Sequence, residues 1–157
     1  MRRLRYDNLG LNSCISSGSD EQVMTALSID DRLKSSGLRP TRQRTLLAGL
    51  LFGAGDRHVT AEMLHEEAVG VGERVSLATV YNTLHQFKSA GLLREIAIDG
   101  QRAYFDTNTS NHNHFYIEKA GVLMDIPSDA IRVDGLPEPP PGMKISHIDV
   151  VVRLVKA

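Results

Sequence analysis

Two histidines separated by one residue, in Asn111-His112-Asn113-His114, stand out for the chemistry they could support. On an extended backbone alternate side chains project to the same side, so His112 and His114 could both reach one metal ion or one haem iron. The same four residues also read as a solvated polar loop, and the spacing alone leaves both readings open. A second group is the polar set Ser76, Thr79, Tyr81, Asn82 and Thr83, placed near the start of a segment with helical periodicity. A helix N-terminus can approach phosphates and present such side chains to base edges. An ordinary capped surface helix would look the same. His65 and His85 fall on helical segments and read as surface or interface residues, and His147 reads as a strand residue. The single cysteine, Cys14, can form neither an internal disulfide nor a Cys-x-x-Cys zinc site, and it is incidental in this reading.

The elements that must hold these groups follow from capping residues and periodicity. Residues 1–27 are rich in Ser, Asn and Gly and predict a mobile tail, with Met24 as an alternative start. Ser28 with Asp31 predicts the start of a first helix that stops at Gly37, and Thr41 caps a second through Leu51. Thr60 caps a third to Ala68, and Ser76 caps a fourth in which Leu77, Val80, Leu84 and Phe87 point inward. Four helices are thus expected before any strand. Asp99-Gly100 between Leu93–Ile98 and Arg102–Asp106 predicts a hairpin. Helices followed by such a wing make a winged helix-turn-helix, residues 28–107. Beyond a hinge at 108–113, residues 114–157 predict a smaller unit. Its strands are expected at His114–Glu118 and Val122–Ile126, joined by a turn at Lys119–Gly121, and at Lys144–Val155, where Ile148, Val150, Val152 and Leu154 share a face. Leu136-Pro-Glu-Pro-Pro-Pro-Gly142 predicts an extended linker. A sheet this small has exposed edges and a thin core, so pairing with a second copy is expected. The fold class is α+β, a winged helix-turn-helix domain followed by a small α/β dimerisation domain.

Composition narrows the function. The 157 residues are 41% hydrophobic, enough for a folded core, and carry a formal net charge of -1. That average conceals an uneven distribution. Arg32 to Tyr104 carries ten Lys and Arg against seven Asp and Glu, whereas Phe105 to Ala157 carries five against seven. The segment predicted to be helical is the basic one, which permits nucleic-acid binding without requiring it. No apolar run approaches the roughly 20 residues of a membrane helix, and residues 1–19 lack the apolar centre of a signal peptide, so a cytoplasmic location is expected.

Three stretches together carry a family resemblance: Ser76-Leu-Ala-Thr-Val-Tyr-Asn-Thr-Leu84, Gly37-Leu-Arg-Pro-Thr-Arg-Gln-Arg44 and His58-Val-Thr-Ala-Glu62. In residues, order and spacing they resemble the Fur (ferric uptake regulator) family over about Ser28 to Ile126. The ending Leu136-Pro-Glu-Pro-Pro-Pro-Gly-Met143 looks like the Irr (iron response regulator) branch in particular. The resemblance implies a dimeric repressor of promoter DNA in which Tyr81 and Asn82 contact bases, with Ser76 and Thr79 beside them, while Arg39 and Arg44 touch the backbone or minor groove. It adds His58 and Asp106 to His112 and His114 as a regulatory site for haem or for a divalent ion such as Zn, Mn or Fe. For the Irr branch it implies DNA binding when iron is scarce, release by haem, and a haem-biosynthesis enzyme as a further partner.

The departures are equally informative. Ile117-Glu-Lys-Ala120 stands where the family usually places the first cysteine pair of a structural zinc, which excludes that zinc here. Arg132 stands where a second histidine-rich site has its acid, and Asn82 stands where Fur proteins commonly carry Arg. Ile15 follows Cys14, so the short Cys-Pro haem motif is absent and histidine ligation is the remaining route. The rival classes are a metal-dependent hydrolase and a haem carrier. The hydrolase lacks a general base beside the ion, and four protein ligands would close the position a catalytic water needs. A regulator, not an enzyme, is expected.

Overall fold

A computed structural model describes residues 28–99 and 102–156. The predicted tail, with Cys14 and Met24, and Gly100 of the hairpin turn lie outside the described residues. The order of elements is α1 (Ile29–Ser35), α2 (Arg42–Phe52), β1 (His58–Val59), α3 (Ala61–Gly70), α4 (Leu77–Ser89), β2 (Arg94–Asp99), β3 (Arg102–Asp106), β4 (Asn113–Ile117), β5 (Val122–Ile126) and β6 (Val151–Leu154). The fold is α+β.

Each helix begins where a hydroxyl can satisfy an otherwise orphaned N–H. Ser28, Thr41, Thr60 and Ser76 accept from the backbone N–H groups of Asp31, Arg44, Met63 and Thr79. Gly91, at φ 73°, supplies the left-handed turn that lets Leu92 N–H donate to the Phe87 carbonyl at 2.9 Å and directs the chain into β2. The expectation of four helices before any strand fails at β1. Two residues are too few to show a period, and His58–Val59 is a strand only because it pairs with β3, far along the chain.

Two three-stranded sheets result, in the orders β1-β3-β2 and β5-β4-β6. The first joins antiparallel strands, and in the second β4 and β6 run parallel. The last strand is shorter than predicted. Residues 127–150 form neither helix nor strand, and His147 lies in this irregular stretch, not in a strand. There it pairs with Asp149 at 2.9 Å.

Two apolar clusters organise the molecule. Leu33, Leu47, Leu51, Val59, Leu64, Val80, Leu84, Phe87 and Phe105 fill the space between the helices and β3. Leu77, predicted inward, is 36% exposed, and Thr83, predicted to be available, is 5% exposed. Leu77 is the first residue of α4, ahead of the turn that meets the core, whereas Thr83 lies three residues beyond Val80 on the face that turns inward. The second cluster, Ile96, Ile98, Tyr104, Tyr116 and Leu123 with Val151 against it, draws on both sheets. Polar ties reinforce that seam. Tyr104 donates its hydroxyl to the Gly121 carbonyl at 2.7 Å, and the Arg153 guanidinium donates to the Ile98 carbonyl.

Candidate functional site

Strand register builds the site. In the first sheet His58 stands directly opposite Asp106, and in the second His114 stands directly opposite Asp125. Arg57 and Thr107 hold the first pair in place: Arg57 N–H donates to Thr107 Oγ1 at 2.8 Å, and Thr107 N–H donates to the Arg57 carbonyl at 3.1 Å. His112, just ahead of β4, completes the group. One cross-strand His/Asp pair from each sheet, with a third imidazole, therefore meets at the seam.

The convergence is tight. One nitrogen or carboxylate oxygen from each of His58, Asp106, His112, His114 and Asp125 lies within 4.8 Å of all the others. Asp106 Oδ2 is 3.5 Å from His58 Nε2, 2.9 Å from His112 Nε2 and 3.3 Å from His114 Nε2. Asp125 Oδ1 is 3.0 Å from His58 Nε2, 3.3 Å from His112 Nε2 and 3.7 Å from His114 Nε2. Asp106 and His114 are fully buried, while Asp125 is at the rim. Burial works against the charge on Asp106, yet its contacts with His114 and His58 and the backbone N–H of Asn108 outweigh it. They hold the carboxyl well below the ordinary carboxylate range. It stays ionised.

These residues suit a small divalent cation. The Nε2 atoms of His58 and His112 are buried and make no hydrogen bond, although carboxylate oxygens lie close by. Buried imidazole nitrogens left without a hydrogen bond beside carboxylate oxygens are what an ion between them would satisfy. Three imidazoles and two carboxylates match Zn, Mn or Fe, whose preferences overlap at mixed N/O sites. A haem is a different matter. The cleft beside the cluster, lined by His58, Met63, Tyr104, Gly121, Val122 and Leu123, has about 110 Å³. Sites for drug-sized ligands have roughly 300–1,000 Å³. The macrocycle could reach these histidines only if the seam opened.

All four residues expected at the site, His58, Asp106, His112 and His114, are brought together, and Asp125 joins them without having been singled out. Arg132 lies elsewhere, 85% exposed and 3.8 Å from Asp134. His65 Nε2 contacts the Val75 carbonyl at 3.0 Å, bracing the turn before α4. His85 meets the Phe105 ring edge to face. Neither belongs to the cluster.

The residues expected to face nucleic acid sit around a groove of about 260 Å³ between the starts of α2 and α4, lined by Thr41, Gln43, Arg44, Thr79, Asn82 and Gln86, among others. Asn82 is exposed there. Arg44 donates to Gln86 Oε1 at 2.9 Å and to the Arg39 carbonyl at 2.7 Å, which ties the exposed Arg39 segment to α4. Ser76 and Thr79 spend their hydroxyls on one another at 2.8 Å while capping the helix. Tyr81 is only partly available, because its hydroxyl donates to Glu62 Oε1 at 2.6 Å. The Glu62 carboxylate raises the phenol pKa, first through this hydrogen bond and, after burial, by its charge. Gln43 and Gln86 were missed by sequence reasoning. Gln86 lies four residues after Asn82 and seven after Thr79, so helical spacing could have placed it on their face.

The ferric uptake regulator family model matches residues 35–152. The ferric uptake regulation protein of Shigella flexneri is 33% identical over 101 residues, 64% of this chain and 68% of that protein. Its counterpart in Escherichia coli K12 is 32% identical over the same shares. Among solved structures, the Pseudomonas aeruginosa ferric uptake regulator with manganese is 26% identical, with a TM-score of 0.61 over 81% of this chain and 96% of that one. The Vibrio cholerae ferric uptake regulator shares the fold at 23% identity, with a TM-score of 0.63 over 79% of this chain and 96% of that one. The matched relatives are named as regulators, not as enzymes. No helix among the described residues is long and apolar enough to cross a membrane.

Proposed function

Because the chain belongs to the ferric uptake regulator family, we propose that it is a metal-responsive transcriptional regulator, acting in the cytoplasm as a homodimer on promoter DNA. The observation that carries this reading is the meeting of three imidazoles and two carboxylates at the seam between the two sheets. His58 and Asp106 belong to the winged-helix half, residues 28–107, while His114 and Asp125 belong to the half at 114–157, with His112 in the hinge at 108–113. An ion bound by all of them fixes one half against the other and so sets the spacing of two recognition helices in a dimer. When bound, the ion supplies charge and directional coordination. The chain supplies the rest: α4 with Asn82 and Tyr81 reads bases, and Arg39 and Arg44 give salt-dependent affinity for the backbone.

Dimerisation fits the exposure of Ile145, Ile148, Leu154 and Val155 in the C-terminal part, a set of apolar side chains left facing solvent in the single chain. The seam favours Zn, Mn or Fe over haem on grounds of room. Haem-triggered release from DNA, as in the Irr branch, is the second reading, supported by the ending Leu136–Met143 and by the missing thiolate zinc pair. It requires the seam to open around His112 and His114.

Selection from a random duplex pool at low salt, followed by mobility shifts with Mn, with Zn, with haem and with chelator, tests the proposal. Retained duplexes and a ligand-dependent change in affinity are expected. No retention under any condition would overturn it. Haem acting while Mn and Zn do nothing would replace the ion by haem as the signal.

A further inference from the structure

The ligands at the seam differ in how their far sides are held. His114 Nδ1 is buried with no hydrogen-bond partner, so that ring is held from its other side, where Nε2 faces Asp106 Oδ2 at 3.3 Å. His112 Nδ1 instead contacts the Ser110 carbonyl at 2.9 Å. An N–H at Nδ1 donating to that carbonyl leaves the Nε2 lone pair free to face Asp106 and Asp125. The Ser110 carbonyl is not left loose. Arg94, the first residue of β2, donates one guanidinium nitrogen to it and the other to Asp149 Oδ1. Asp149 precedes β6, and its second oxygen lies 2.9 Å from His147 Nε2. Arg94 also stands opposite Asp106 in the register of β2 and β3.

One guanidinium therefore joins the wing, the connection that carries His112 and the irregular stretch leading into β6. From this junction we infer that Arg94 is a positioning residue: it fixes the Ser110 carbonyl that sets the ring of His112, and it couples ion binding at the seam to docking of the segment around Asp149. The inference rests on reading the cluster as an ion site. Arginine suits the task because its planar fork can serve two acceptors at fixed angles, whereas a lysine ammonium is a single point of charge. The Arg94 side chain is mostly buried, at 16% exposure, so its bond to Asp149 is sheltered from the screening that weakens surface pairs. Coupling of this kind is reciprocal: what the docked segment adds to ion affinity, the ion returns to the docked segment.

The test uses the full chain, stripped of metal and titrated with Co by absorption and with Zn in competition with a chelating dye. Arg94→Ala is expected to weaken Zn binding by about ten- to hundredfold, as loss of an outer-shell partner does. Arg94→Lys should restore only part of that, and Asp149→Asn should produce a smaller loss. Nitrogen NMR of the metal-free protein should find His112 protonated at Nδ1 in the parent and a tautomer mixture in Arg94→Ala. Zn should slow hydrogen exchange at residues 150–154 in the parent more than in either Arg94 variant. Zn affinity of Arg94→Ala within about twofold of the parent, with His112 unchanged, overturns the inference while leaving the ion site standing. If Arg94→Ala does not fold, unchanged affinity in both Arg94→Lys and Asp149→Asn overturns it equally. A parent chain that takes up neither Co nor Zn overturns the ion site and the inference with it.

Discussion

Leu33, Leu47, Leu51, Leu64, Leu84 and Phe87 close the helical core without a charged side chain, whereas the seam between the sheets buries Asp106, His112 and His114 beside Tyr104, Tyr116 and Leu123. Removing water from aliphatic surface stabilises unconditionally, at roughly 25 cal/mol per Å². Burying a carboxylate among imidazoles stabilises only when the charges are matched. The helical half is thus set by its own packing, and the seam is conditional on what enters it. That division suits a reader that must stay intact while its placement varies.

The contrast can be broken or sharpened by experiment. Phe87→Ala should cost the most, about 3–5 kcal/mol from the lost ring and the cavity it leaves. Chemical denaturation should show it, and a loss under about 1 kcal/mol would mean that the helical core is not the stabilising unit. Next, Zn at a hundred times its Kd should add about 2.7 kcal/mol to the parent and far less to Asp106→Asn. Equal gains in both would remove Asp106 from the site. The metal-free seam should also respond to acid. The Asp106 carboxyl is held below its unfolded value, so its contribution is fully present above the ordinary carboxylate range, near about 4, and is lost as pH falls through the depressed folded value. Stability that declines no more steeply in acid for the parent than for Asp106→Asn would contradict this. The smallest effect is at the reader. Glu62→Gln should let the Tyr81 phenol titrate closer to about 10, seen by ultraviolet difference spectra, with no change in melting beyond experimental scatter. An unchanged titration would dissolve the Tyr81–Glu62 tie.

Much of the helical half was legible because its signals are local. Ser28, Thr41, Thr60 and Ser76 each cap the helix that follows them, and Val80, Leu84 and Phe87 repeat at helical spacing. Leu77 and Thr83 were misplaced because periodicity fixes a face only to within a residue at its margins. The seam was legible only in part. His112 and His114 announce themselves by alternation, and His58 and Asp106 entered through family resemblance, but nothing local marks Asp125. Its partner is fixed by register. A three-residue turn at Lys119–Gly121 would set His114 opposite Ile126, whereas the turn also includes Glu118, with Ala120 and Gly121 both donating to the Ile117 carbonyl, and the slip brings Asp125 into line. The strand expected over Lys144–Val155 shrank to Val151–Leu154 for a related reason. The two ends of its expected face, Ile148 and Leu154, are left exposed in one chain, and Val151, on the other face, is what meets the second cluster.

The parallel pairing of β4 with β6 has a kinetic consequence. His114 and Val151 are neighbours in the sheet but lie at opposite ends of a long excursion through residues 127–150 that has no regular structure. Closing such a loop costs chain entropy before the ladder returns anything, although each doubling of its length adds only about 0.6 kcal/mol. Contacts among the helices and the β4–β5 hairpin are shorter in sequence and should form first, leaving β6 to arrive last and to leave first. Native-state hydrogen exchange is expected to find Val151–Leu154 opening at the lowest free energy of any strand, and protection equal to that of β4 would refute it. The partly assembled state would then hold a complete reader and an incomplete sensor, so exposure to the signal and completion of the fold would coincide in time.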